Sequence, residues 1–553
     1  MSAVRTTLYR NGVIHSPSDP FAEAVLVSDG GIAWLGADDT AAGLAANVDD
    51  VVDLDGALVA PAFVDAHAHV LETGFALEGL DLSAAAGIHS LADALAALAR
   101  SAAGARAAGA TGPLLGHGWD EGDWPEGRAP TRAELDEAAG GAPVYLARVD
   151  VHSAVVSTSF AAVAGLAGLG GWEVGDGVVR AQAHHAAREA ARDVEPARRE
   201  HLYRRALGAA AAHGIASLHE HSAPFIDTRD GLNALLGLTA DAAGGLPHLV
   251  AYRGELCEKT DDAREVLAAI PGLTGIGGDL NVDGSLGSRT AALRTPYRDQ
   301  PGPSARSGSL YLSAEQICNH LASVTRAGLQ AGFHIIGDRA MDEFLLGLRA
   351  ASDVEGLAAI RRAGHRVEHA EMVDAPTLAA LVLLGIRVSV QPAFDAAWGG
   401  SQGMYAARLG AGRAAALNPL ADLVAAGVPM AFGSDSPVTP FDPWAGVGAA
   451  VTHHEPDQRI SARAAFRAHT RGGWRLAGLD HTGAGEIRLG APAHLALWRA
   501  ENLVVQAADG RVSAWSTDAR AGTPLLPEVG PDAAPPVCLR TVRAGVVVYD
   551  VLG

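Results

Sequence analysis

The sequence predicts an α/β protein whose parallel sheet is either closed or doubly wound, with a small β-domain assembled from both chain ends. Three observations lead to this prediction. Short apolar runs alternate with Ala-, Leu-, Arg- and Glu-rich segments between residues 61 and 485, which is typical of repeated βα units. The two ends of the chain carry strand and turn patterns instead. The length of 553 residues also exceeds that of one ordinary domain.

The chain ends predict a β-rich unit. In residues 5–60, Val, Ile and Leu alternate with polar residues, and the turns contain Asn-Gly and Asp-Gly-Gly, which are hairpin signals. Residues 494–500, 510–515 and 538–551 are again strand-like, with a Pro-rich stretch at 524–536. We therefore predict one composite β-domain from residues 1–60 and 486–553.

The middle of the chain, residues 61–485, supplies the parallel sheet. Helical patterns, for example at residues 314–327 and 341–351, lie between most of its strand candidates. This region is much longer than the about 250 residues of a typical (β/α)8 barrel. The excess falls within residues 71–210, where Gly, Trp and Pro cluster, and we predict an insertion there after the first strand. The strand candidates are Ala62–Val64, Ile215–Leu218, Leu249–Tyr252, Gly278–Val282, Gln330–Ile335, Arg366–Glu368, Arg387–Val390 and Met430–Gly433.

The composition excludes several classes of partner. The chain has 63 Asp and Glu against 42 Lys and Arg, which gives a formal net charge of −21. A nucleic-acid surface would need a basic stripe, and an anionic membrane attracts a polybasic face, so we expect neither partner. No apolar run approaches the about 20 residues that span a bilayer, and the amino terminus has no signal-peptide pattern.

The cysteines indicate the compartment. Cys257, Cys318 and Cys538 lie far apart and form no CxxC pair, which argues against a disulfide framework or a structural zinc knuckle. We expect a cytoplasmic protein that acts on a small-molecule substrate. A homodimer is the simplest assembly to expect, because two-fold dimers are the commonest closed oligomers.

The strongest local motif is PAFVDAHAHV, residues 61–70, in which an apolar run ends in Asp65, His67 and His69. Residues two apart on a strand point to the same face, so His67 and His69 present two imidazoles to one point. Neutral imidazoles bind zinc and related metals. The alternative is a pair of core histidines satisfied by hydrogen bonds.

Later residues favour the metal. His334 and His369 each end an apolar run, and Asp435 follows the run Met430–Phe432. These side chains therefore sit at the carboxyl ends of predicted parallel strands, where (β/α)8 barrels place their active sites. One histidine at such a position is more often structural, but the full set indicates a metal site.

These motifs and their order resemble the amidohydrolase superfamily, and within it the amidohydrolase-3 branch that includes the N-substituted formamide deformylases. The similarity extends into the insertion and to the return to the β-rich end, so it covers nearly the whole chain. The segments that carry it are VDAHAH (64–69), GHGWD (116–120), PTRAELD (130–136), LARVDVHSAVVS (146–157), DGSLGSRTA (283–291), FHIIGDRA (333–340), RVEHAEMV (366–373), FGSDSPV (432–438) and EIRLGAPAHLALW (486–498).

The resemblance implies a metal-dependent hydrolase with a (β/α)8 TIM barrel and a small β-sandwich domain. It places His67, His69, His334 and His369 at metal-ligand positions. Asp435 corresponds to the aspartate that contacts the metal and acts as general base. A metal lowers the pKa of bound water to around 7 in favourable sites, and a neighbouring carboxylate can pass the proton to the leaving nitrogen.

One position departs from the family pattern. Many two-metal members carry a carboxylated lysine four residues before the DG of DGSLGSRTA, where this chain has Asp279. The only lysine, Lys259, lies 20 residues upstream beside a predicted helix start. We expect Asp279 to be too short to reach the place of a lysine carbamate. The sequence therefore favours one Zn²⁺ per chain, with His369 free to orient water or substrate, although two ions are not excluded.

Further residues are candidates for substrate binding or for a second metal. His219 and His221 form another HxH at a strand end, which could hold a second metal together with Asp279 or supply an oxyanion-stabilising imidazole, or could be a hydrogen-bonded loop pair. Histidine pairs 184–185 and 453–454 are predicted at the surface. The candidates for the substrate pocket are Trp119, Asp120, His152, His219, Asp283 and Arg289.

Three functions are compatible with these residues. The first is hydrolysis of an amide or N-substituted formamide by a metal-activated water with Asp435 as base. The second is another amidohydrolase reaction, namely deamination or the hydrolysis of a cyclic amide or an ester, because loops rather than fold select the substrate. The third is a catalytically idle barrel that serves as a binding or scaffold protein, which the missing lysine would favour and the retained histidines oppose.

Overall fold

The structure is a computed structural model that describes residues 5–552, apart from residues 111, 174, 301, 303–305 and 506–522. None of the helices in these described ranges is long and apolar enough to cross a membrane.

The amino-terminal segment is made of short strands around one helix. Strands β1, β3, β4 and β5 form a sheet in the order β4-β3-β1-β5, in which β1 pairs antiparallel with β3 and parallel with β5. The elements are β1 (Thr6–Arg10), β2 (Val13–Ile14), β3 (Ala24–Ser28), β4 (Gly31–Gly36), α1 (Asp38–Leu44), β5 (Asp50–Asp53) and β6 (Leu58–Pro61).

The next strand and helix, β7 (Phe63–Ala68) and α2 (Val70–Glu78), lead into the insertion. The insertion has a sheet of its own in the order β12-β13-β11-β10-β9-β8 and an apolar core that includes Leu98, Leu135 and Leu146. It lies after the first barrel strand, as the sequence predicts. Its elements, with the helix that leads back to the barrel, are β8 (Leu80–Asp81), α3 (Leu91–Ala107), β9 (Leu114–Trp119), α4 (Arg132–Ala139), β10 (Val144–Arg148), β11 (Ser153–Val156), α5 (Thr158–Val163), β12 (Trp172–Glu173), β13 (Val178–Arg180), α6 (Ala181–Arg192) and α7 (Pro196–Ala212).

The remainder of the middle region alternates strands and helices. Predicted helices at 314–327 and 341–351 correspond to α10 and to most of α11. The elements are β14 (Ile215–Ser222), α8 (Arg229–Thr239), β15 (His248–Arg253), α9 (Thr260–Ala269), β16 (Leu273–Ile276), α10 (Ala314–Arg326), β17 (Gln330–Ile335), α11 (Asp338–Glu355), α12 (Leu357–Ala363), β18 (Arg366–His369), α13 (Ala375–Leu384), β19 (Arg387–Val390), α14 (Pro392–Trp398), α15 (Met404–Leu409), α16 (Ala411–Ala414), α17 (Leu420–Ala426), β20 (Met430–Phe432), α18 (Pro443–Val451), α19 (Ala462–Ala468) and α20 (Arg471–Leu476).

Eight parallel strands form a (β/α)8 barrel. Their order is β7-β14-β15-β16-β17-β18-β19-β20. The first and last strands meet beyond their carboxyl ends, where Asp435 N–H donates to the His67 carbonyl at 2.8 Å and His69 N–H donates to the Ser436 carbonyl at 3.0 Å. The sheet is therefore nearly closed, and of the two topologies left open by the strand pattern it is the barrel.

The fourth barrel strand lies earlier than predicted. The sequence places it at Gly278–Val282, but β16 ends at Ile276, and only Asn281 makes a bridge, to His334 of β17. Gly277 and Gly278 have φ of 101° and 63°, which end the extended conformation and favour glycine. The segment that follows β16 is therefore a loop at the carboxyl end of the barrel.

The carboxyl-terminal strands return to the amino-terminal ones. A five-stranded sheet has the order β2-β6-β21-β24-β25, so strands from both ends share it, and its core residues Val59, Leu497 and Val542 pack with Tyr9 and Val25. The β-sandwich domain and its boundaries at residues 60 and 486 stay a prediction, and the strand predicted at 510–515 lies outside the described residues. These strands are β21 (Leu495–Arg499), β22 (Leu503–Val504), β23 (Leu526–Pro527), β24 (Val537–Arg543) and β25 (Val546–Asp550).

Candidate metal centre

The metal-ligand candidates converge at the carboxyl ends of the barrel strands. His67 is the penultimate residue of β7, and His69 directly precedes α2. His334 is the penultimate residue of β17, and His369 is the last residue of β18. Asp435 follows β20 and has a φ of 57°, and His369 has a φ of 69°. Non-glycine residues in this left-handed region are strained, and such strain is typical of functional sites.

The outer ring nitrogens of His67 and His69 are held by hydrogen-bond acceptors. His67 Nδ1 donates to Glu368 Oε2 at 2.7 Å, and His69 Nδ1 donates to the carbonyl of His221 at 2.9 Å. Because neither partner can donate in return, the proton is fixed on Nδ1 and the lone pair lies on Nε2. Each imidazole is thus set as a metal ligand through Nε2.

His334 and His369 follow the same rule. His334 Nε2 donates to the Gly284 carbonyl at 3.2 Å, which leaves the lone pair on Nδ1. His369 Nδ1 donates to Gln391 Oε1 at 2.9 Å, which leaves the lone pair on Nε2. All four imidazoles are therefore oriented by an outer partner and present a lone pair to the same point.

These inward atoms lack hydrogen-bond partners. Among the described residues, His67 Nε2, His334 Nδ1, His369 Nε2 and Asp279 Oδ1 are buried with none. Leaving one such group unpartnered costs about 1–3 kcal/mol, so several together in one place indicate a bound group. Imidazole and carboxylate donors fit a divalent metal such as zinc.

Asp435 lies against the first histidine pair. Its Oδ1 is 3.4 Å from His67 Nε2 and 3.2 Å from His69 Nε2, and these three residues form one potential metal-binding group. Burial alone would raise the pKa of the Asp435 carboxyl, but His67 and His69, when protonated on Nε2, outweigh this and hold the pKa well below its usual range. A metal ion bound in place of these protons would supply the same positive charge. The carboxylate is therefore ionised and able to accept a proton or bind a cation.

Asp279 reaches the centre of the cluster. Its Oδ1 lies 3.3 Å from His334 Nδ1 and 3.4 Å from His369 Nε2, and its Oδ2 lies 3.8 Å from the Nε2 atoms of both His67 and His69. The prediction that this side chain is too short is wrong: β16 ends at Ile276, and from the loop that follows Asp279 places both of its carboxylate oxygens among the four histidines.

A buried network lies beneath His67. Glu368 is paired with Arg366, and the Arg366 guanidinium also donates to His219 Nδ1 at 3.0 Å. His221 stacks on His67 with ring centroids 4.1 Å apart and planes 8° apart. His67, His221 and Glu368 form a further group of potential metal ligands. However, the hydrogen bond from His67 Nδ1 to Glu368 already uses that nitrogen, so we assign this group a supporting role.

Two cavities open onto the cluster, and His152, His334, His369 and Asp435 line both. The first cavity is mainly polar. The accessible lining of the second is mainly apolar, but Arg148, Asp150, Ser285 and Glu371 also line it, and Glu371 Oε2 has no hydrogen-bond partner among the described residues. Further residues lining the first are His184, His185, Arg188, Phe225 and Asn281, and further residues lining the second are Leu286, Phe394, Trp398, Met404 and Val438.

The predicted substrate residues have different locations. His152 lies beside the cluster, with its ring centroid 5.1 Å from that of His334, and burial lowers its pKa to about 3. Trp119 is buried in the core of the insertion and donates through Nε1 to the Leu146 carbonyl, and it lines neither cavity. Asp120 binds the guanidinium of Arg148. The structure thus gives Trp119 a packing position and Asp120 an ion pair.

The remaining candidates organise the surroundings. Burial raises the pKa of Asp283 to about 6, and its carboxyl accepts the N–H groups of Ala292, Ile336 and Gly337, so it shapes the loop after β16. Arg289 is paired with Asp299 and lines neither cavity. His219 is buried against Arg366 and lines neither cavity, whereas His221 lines the polar one.

Sequence reasoning missed several residues of the site. His184 is buried rather than at the surface, and its Nε2 contacts the Tyr145 hydroxyl at 3.0 Å. His185 is exposed, as predicted, and both histidines line the polar cavity. The alternation of small and polar residues along α6 did not reveal which face is covered. Glu368 and Gln391 hold metal-ligand candidates from outside the cluster. Glu368 could have been found because it precedes His369 within RVEH, but nothing in the local sequence marks Gln391.

Comparisons with known proteins identify the family of this chain. A family model described as "Amidohydrolase family" matches residues 50–549. The chain is 27% identical over 513 residues to Protein LONG AFTER FAR-RED 3 of Arabidopsis thaliana, covering 86% of this chain and 84% of the relative. It is 24% identical over 497 residues to an N-substituted formamide deformylase of Arthrobacter pascens, covering 81% of this chain and 85% of the relative.

Solved structures give the same result. The crystal structure of an uncharacterised metal-dependent hydrolase from Pyrococcus horikoshii superimposes with a TM-score of 0.69 at 25% identity, covering 89% of this chain and 97% of the other. The corresponding protein from Pyrococcus furiosus gives a TM-score of 0.68 at 26% identity, covering 89% of this chain and 98% of the other.

Proposed function

Because this chain belongs to the amidohydrolase family, we propose that it is a metal-dependent hydrolase of carbon–nitrogen bonds in amides or N-substituted formamides. The family match confirms the resemblance seen in the sequence motifs. The metal-dependent part of this proposal is supported by one observation above the others: four buried imidazoles are each oriented by an acceptor outside the cluster, and their inner nitrogens converge on two carboxylates.

Within this proposal, His67, His69 and Asp435 hold a zinc ion, with Asp279, His334 and His369 completing the cluster. Imidazole and carboxylate are suitable zinc ligands, and the outer hydrogen bonds fix each ring in its orientation. When bound, the ion supplies Lewis acidity and an ionised water at neutral pH.

Asp435 is the proposed general base. Its carboxylate stays ionised at neutral pH, and it lines both cavities, so it borders the space in which a substrate would lie. A carboxylate oxygen takes the proton of the attacking water and delivers it to the nitrogen that leaves. The His152 imidazole, whose pKa is lowered to about 3, is neutral and can bind a polar substrate group as donor or acceptor.

The apolar cavity supports the substrate class. Phe394, Trp398 and Met404 form a wall that suits an uncharged alkyl or aryl group beside the scissile bond. One relative is described as an N-substituted formamide deformylase, a reaction that fits such a group. We also propose a cytoplasmic location, since free cysteines 257, 318 and 538 are typical of a reducing compartment.

The test combines metal analysis with a substrate panel. Protein purified without tag or chelator is analysed by inductively coupled plasma mass spectrometry, then assayed on N-substituted formamides, N-acyl amines, cyclic amides, aminated heterocycles and esters. We expect bound zinc and the highest kcat/KM on a formamide or acyl amide. A clear preference for one of the other substrates would identify a different amidohydrolase reaction and overturn the amide assignment.

Asp435→Asn tests the proposed base, and Asp299→Asn, which changes a carboxylate paired with Arg289 outside both cavities, is the matched control. We expect Asp435→Asn to lower kcat by about 10²–10⁴-fold, which is typical of a lost general acid–base group, while the control keeps its activity. Unchanged turnover in Asp435→Asn would exclude this mechanism. A metal-loaded protein that binds ligands but hydrolyses none would be a scaffold protein.

A further inference from the structure

We propose that Asp279 takes the place of the carboxylated lysine of two-metal relatives without any modification, and that its two carboxylate oxygens would each ligate one of two divalent metal ions. This inference rests on the metal cluster of the proposed function and extends it beyond the single ion that the sequence favours. The observation that supports it is that each carboxylate oxygen of Asp279 lies near a different pair of the four histidines.

The first pair faces one oxygen. Asp279 Oδ2 lies 3.8 Å from both His67 Nε2 and His69 Nε2, and Asp435 Oδ1 completes the group at 3.4 Å and 3.2 Å from the same nitrogens. Two imidazole nitrogens and two carboxylate oxygens converge here, and they would hold one divalent ion.

The second pair faces the other oxygen. Asp279 Oδ1 lies 3.3 Å from His334 Nδ1 and 3.4 Å from His369 Nε2, and all three atoms are buried with no hydrogen-bond partner among the described residues. This group supplies three ligands. A catalytic ion commonly has three protein ligands and one open position, and both cavities border this histidine pair.

The backbone explains how a short side chain reaches this position. Gly277 and Gly278 adopt φ of 101° and 63° directly after β16. A Cβ on Gly278 would lie 2.5 Å from Tyr252 Cβ and 2.8 Å from His221 Nδ1, and a Cβ on Gly332 would lie 2.6 Å from Gly278 Cα. Only glycines allow this approach, so backbone position replaces the length that a lysine would provide.

The bridging carboxylate is therefore the unmodified side chain of an encoded aspartate. A lysine bridge must first react with carbon dioxide, whereas Asp279 needs no modification. The single lysine cannot serve, because Lys259 directly precedes α9, has a side chain that is 76% exposed, and approaches Asp262 at 3.9 Å. We therefore expect the centre to assemble without carbon dioxide or bicarbonate.

The experiment loads metal-free protein with Zn²⁺ or Mn²⁺ in buffer freed of carbon dioxide and bicarbonate, and measures bound metal after dialysis. We expect two ions per chain in the wild type and about one in Asp279→Asn, because an amide can ligate through only one oxygen. Lys259→Arg is the control that removes the only lysine, and it should bind two. In the manganese form, electron paramagnetic resonance should show a spin-coupled pair in the wild type and an isolated ion in Asp279→Asn.

A folding defect has a separate readout. Circular dichroism and thermal unfolding of the metal-free variants identify misfolding. Asp279→Glu keeps a bridging carboxylate and should retain spin coupling even if Asp279→Asn is unstable. One ion in the wild type, two coupled ions in Asp279→Asn, or loss of the second ion in Lys259→Arg would each overturn the bridge.

These outcomes are independent of the hydrolase assignment. A coupled pair of ions without hydrolysis of any substrate would refute the proposed function and leave the bridge intact. Hydrolysis by a protein that binds one uncoupled ion would refute the bridge and leave the proposed function intact.

Discussion

The histidines at the mouth of the barrel differ from those buried between the barrel and its helices. His320 of α10 uses both ring nitrogens: Nδ1 accepts the N–H of Cys257 at 3.0 Å, and Nε2 donates to the Ile276 carbonyl at 3.2 Å. His365 accepts the N–H of Ala331 and lies 2.9 Å from the Thr325 hydroxyl. Burial lowers the pKa of His320 to about 4 and that of His365 to about 3, so both are neutral structural residues.

Burial therefore does not distinguish the two regions. His67 and His320 are equally inaccessible to solvent, but only His67 has a ring nitrogen left without a hydrogen-bond partner. A protein tolerates that cost where a ligand satisfies the group instead. The useful marker of this site is an oriented imidazole with one unused nitrogen, and four such rings around two carboxylates are a stronger indication than any of them alone.

The largest expected effect, on metal content and activity, comes from a substitution at the mouth of the barrel. His67→Gln removes a ligand of the proposed centre, so we expect loss of metal and a fall in kcat/KM of about 10³-fold or more, since a bound metal contributes several kcal/mol to transition-state stabilisation. Metal analysis and steady-state kinetics measure both. His320→Gln is the matched control from the other region, and it should keep its metal. Retention of metal in His67→Gln would contradict the distinction between metal-binding histidines at the barrel mouth and structural histidines elsewhere.

A buried charge that is fully paired should behave like the structural histidines: its loss should change the stability of the protein but not its metal content. Glu72 of α2 contacts Arg188 and Arg192 of the insertion, and although burial opposes it, these arginines lower its pKa from 4.5 to about 2. Because the folded pKa is depressed, the stabilisation, about 3 kcal/mol, is complete above about pH 4.5 and is lost as the pH falls towards 2.

Urea unfolding of wild type and Glu72→Gln between pH 7 and pH 3 tests this value. The difference in unfolding free energy should be largest at pH 7 and should shrink below pH 4.5, with zinc content unchanged at pH 7. A difference that does not vary with pH would show that Glu72 is not ionised in the folded protein.

A smaller effect is expected from the outer partner of a ligand. Gln391→Leu removes the acceptor that holds His369 Nδ1, so the ring loses its fixed tautomer while its own atoms remain. Loss of such a partner typically weakens metal affinity by about 10–100-fold. Competition with a fluorescent chelator measures the change, and Gln458→Leu, whose amide caps α17 away from the centre, is the control. Equal affinities in the two variants would contradict the role of Gln391.

The smallest effect belongs to the structural histidines. His320→Gln keeps the size of the side chain only in part and loses one of two hydrogen bonds, so we expect a loss of about 1–2 kcal/mol in unfolding free energy. Denaturant unfolding measures it, with the metal-to-protein ratio determined on the same sample. A normal stability together with a lost metal would reverse the contrast between the two regions.

The sequence predicts much of the site because parallel strands impose an order on it. An apolar run that ends in His67, His334 or His369 marks a strand whose last residue lies at the barrel mouth, and tertiary contacts are not needed to see this. The barrel and the insertion follow from the same alternation of strand and helix patterns.

Asp279 shows what local patterns omit. Its reach depends on where β16 ends and on glycine backbones packed against each other, and side-chain length alone suggested that it could not take part. The placement of Trp119 in the core of the insertion and of His184 beside the cavity likewise depends on contacts between segments far apart in the chain. Such contacts are set by packing, which a single sequence does not display.

The sheet shared by the two chain ends has a consequence for the order of events during synthesis. Residues 58–61 of β6 pair with β21, more than 400 residues later. At about 5–20 residues per second, the ribosome needs roughly 20–90 s to supply that partner, so one edge of β6 waits uncovered while the barrel is made. An uncovered apolar strand edge invites association with other chains. Solubility of the nascent protein therefore depends on the completion of the segment that starts with β21 at Leu495, and a chain stopped before β21 should aggregate even though its whole barrel has been translated.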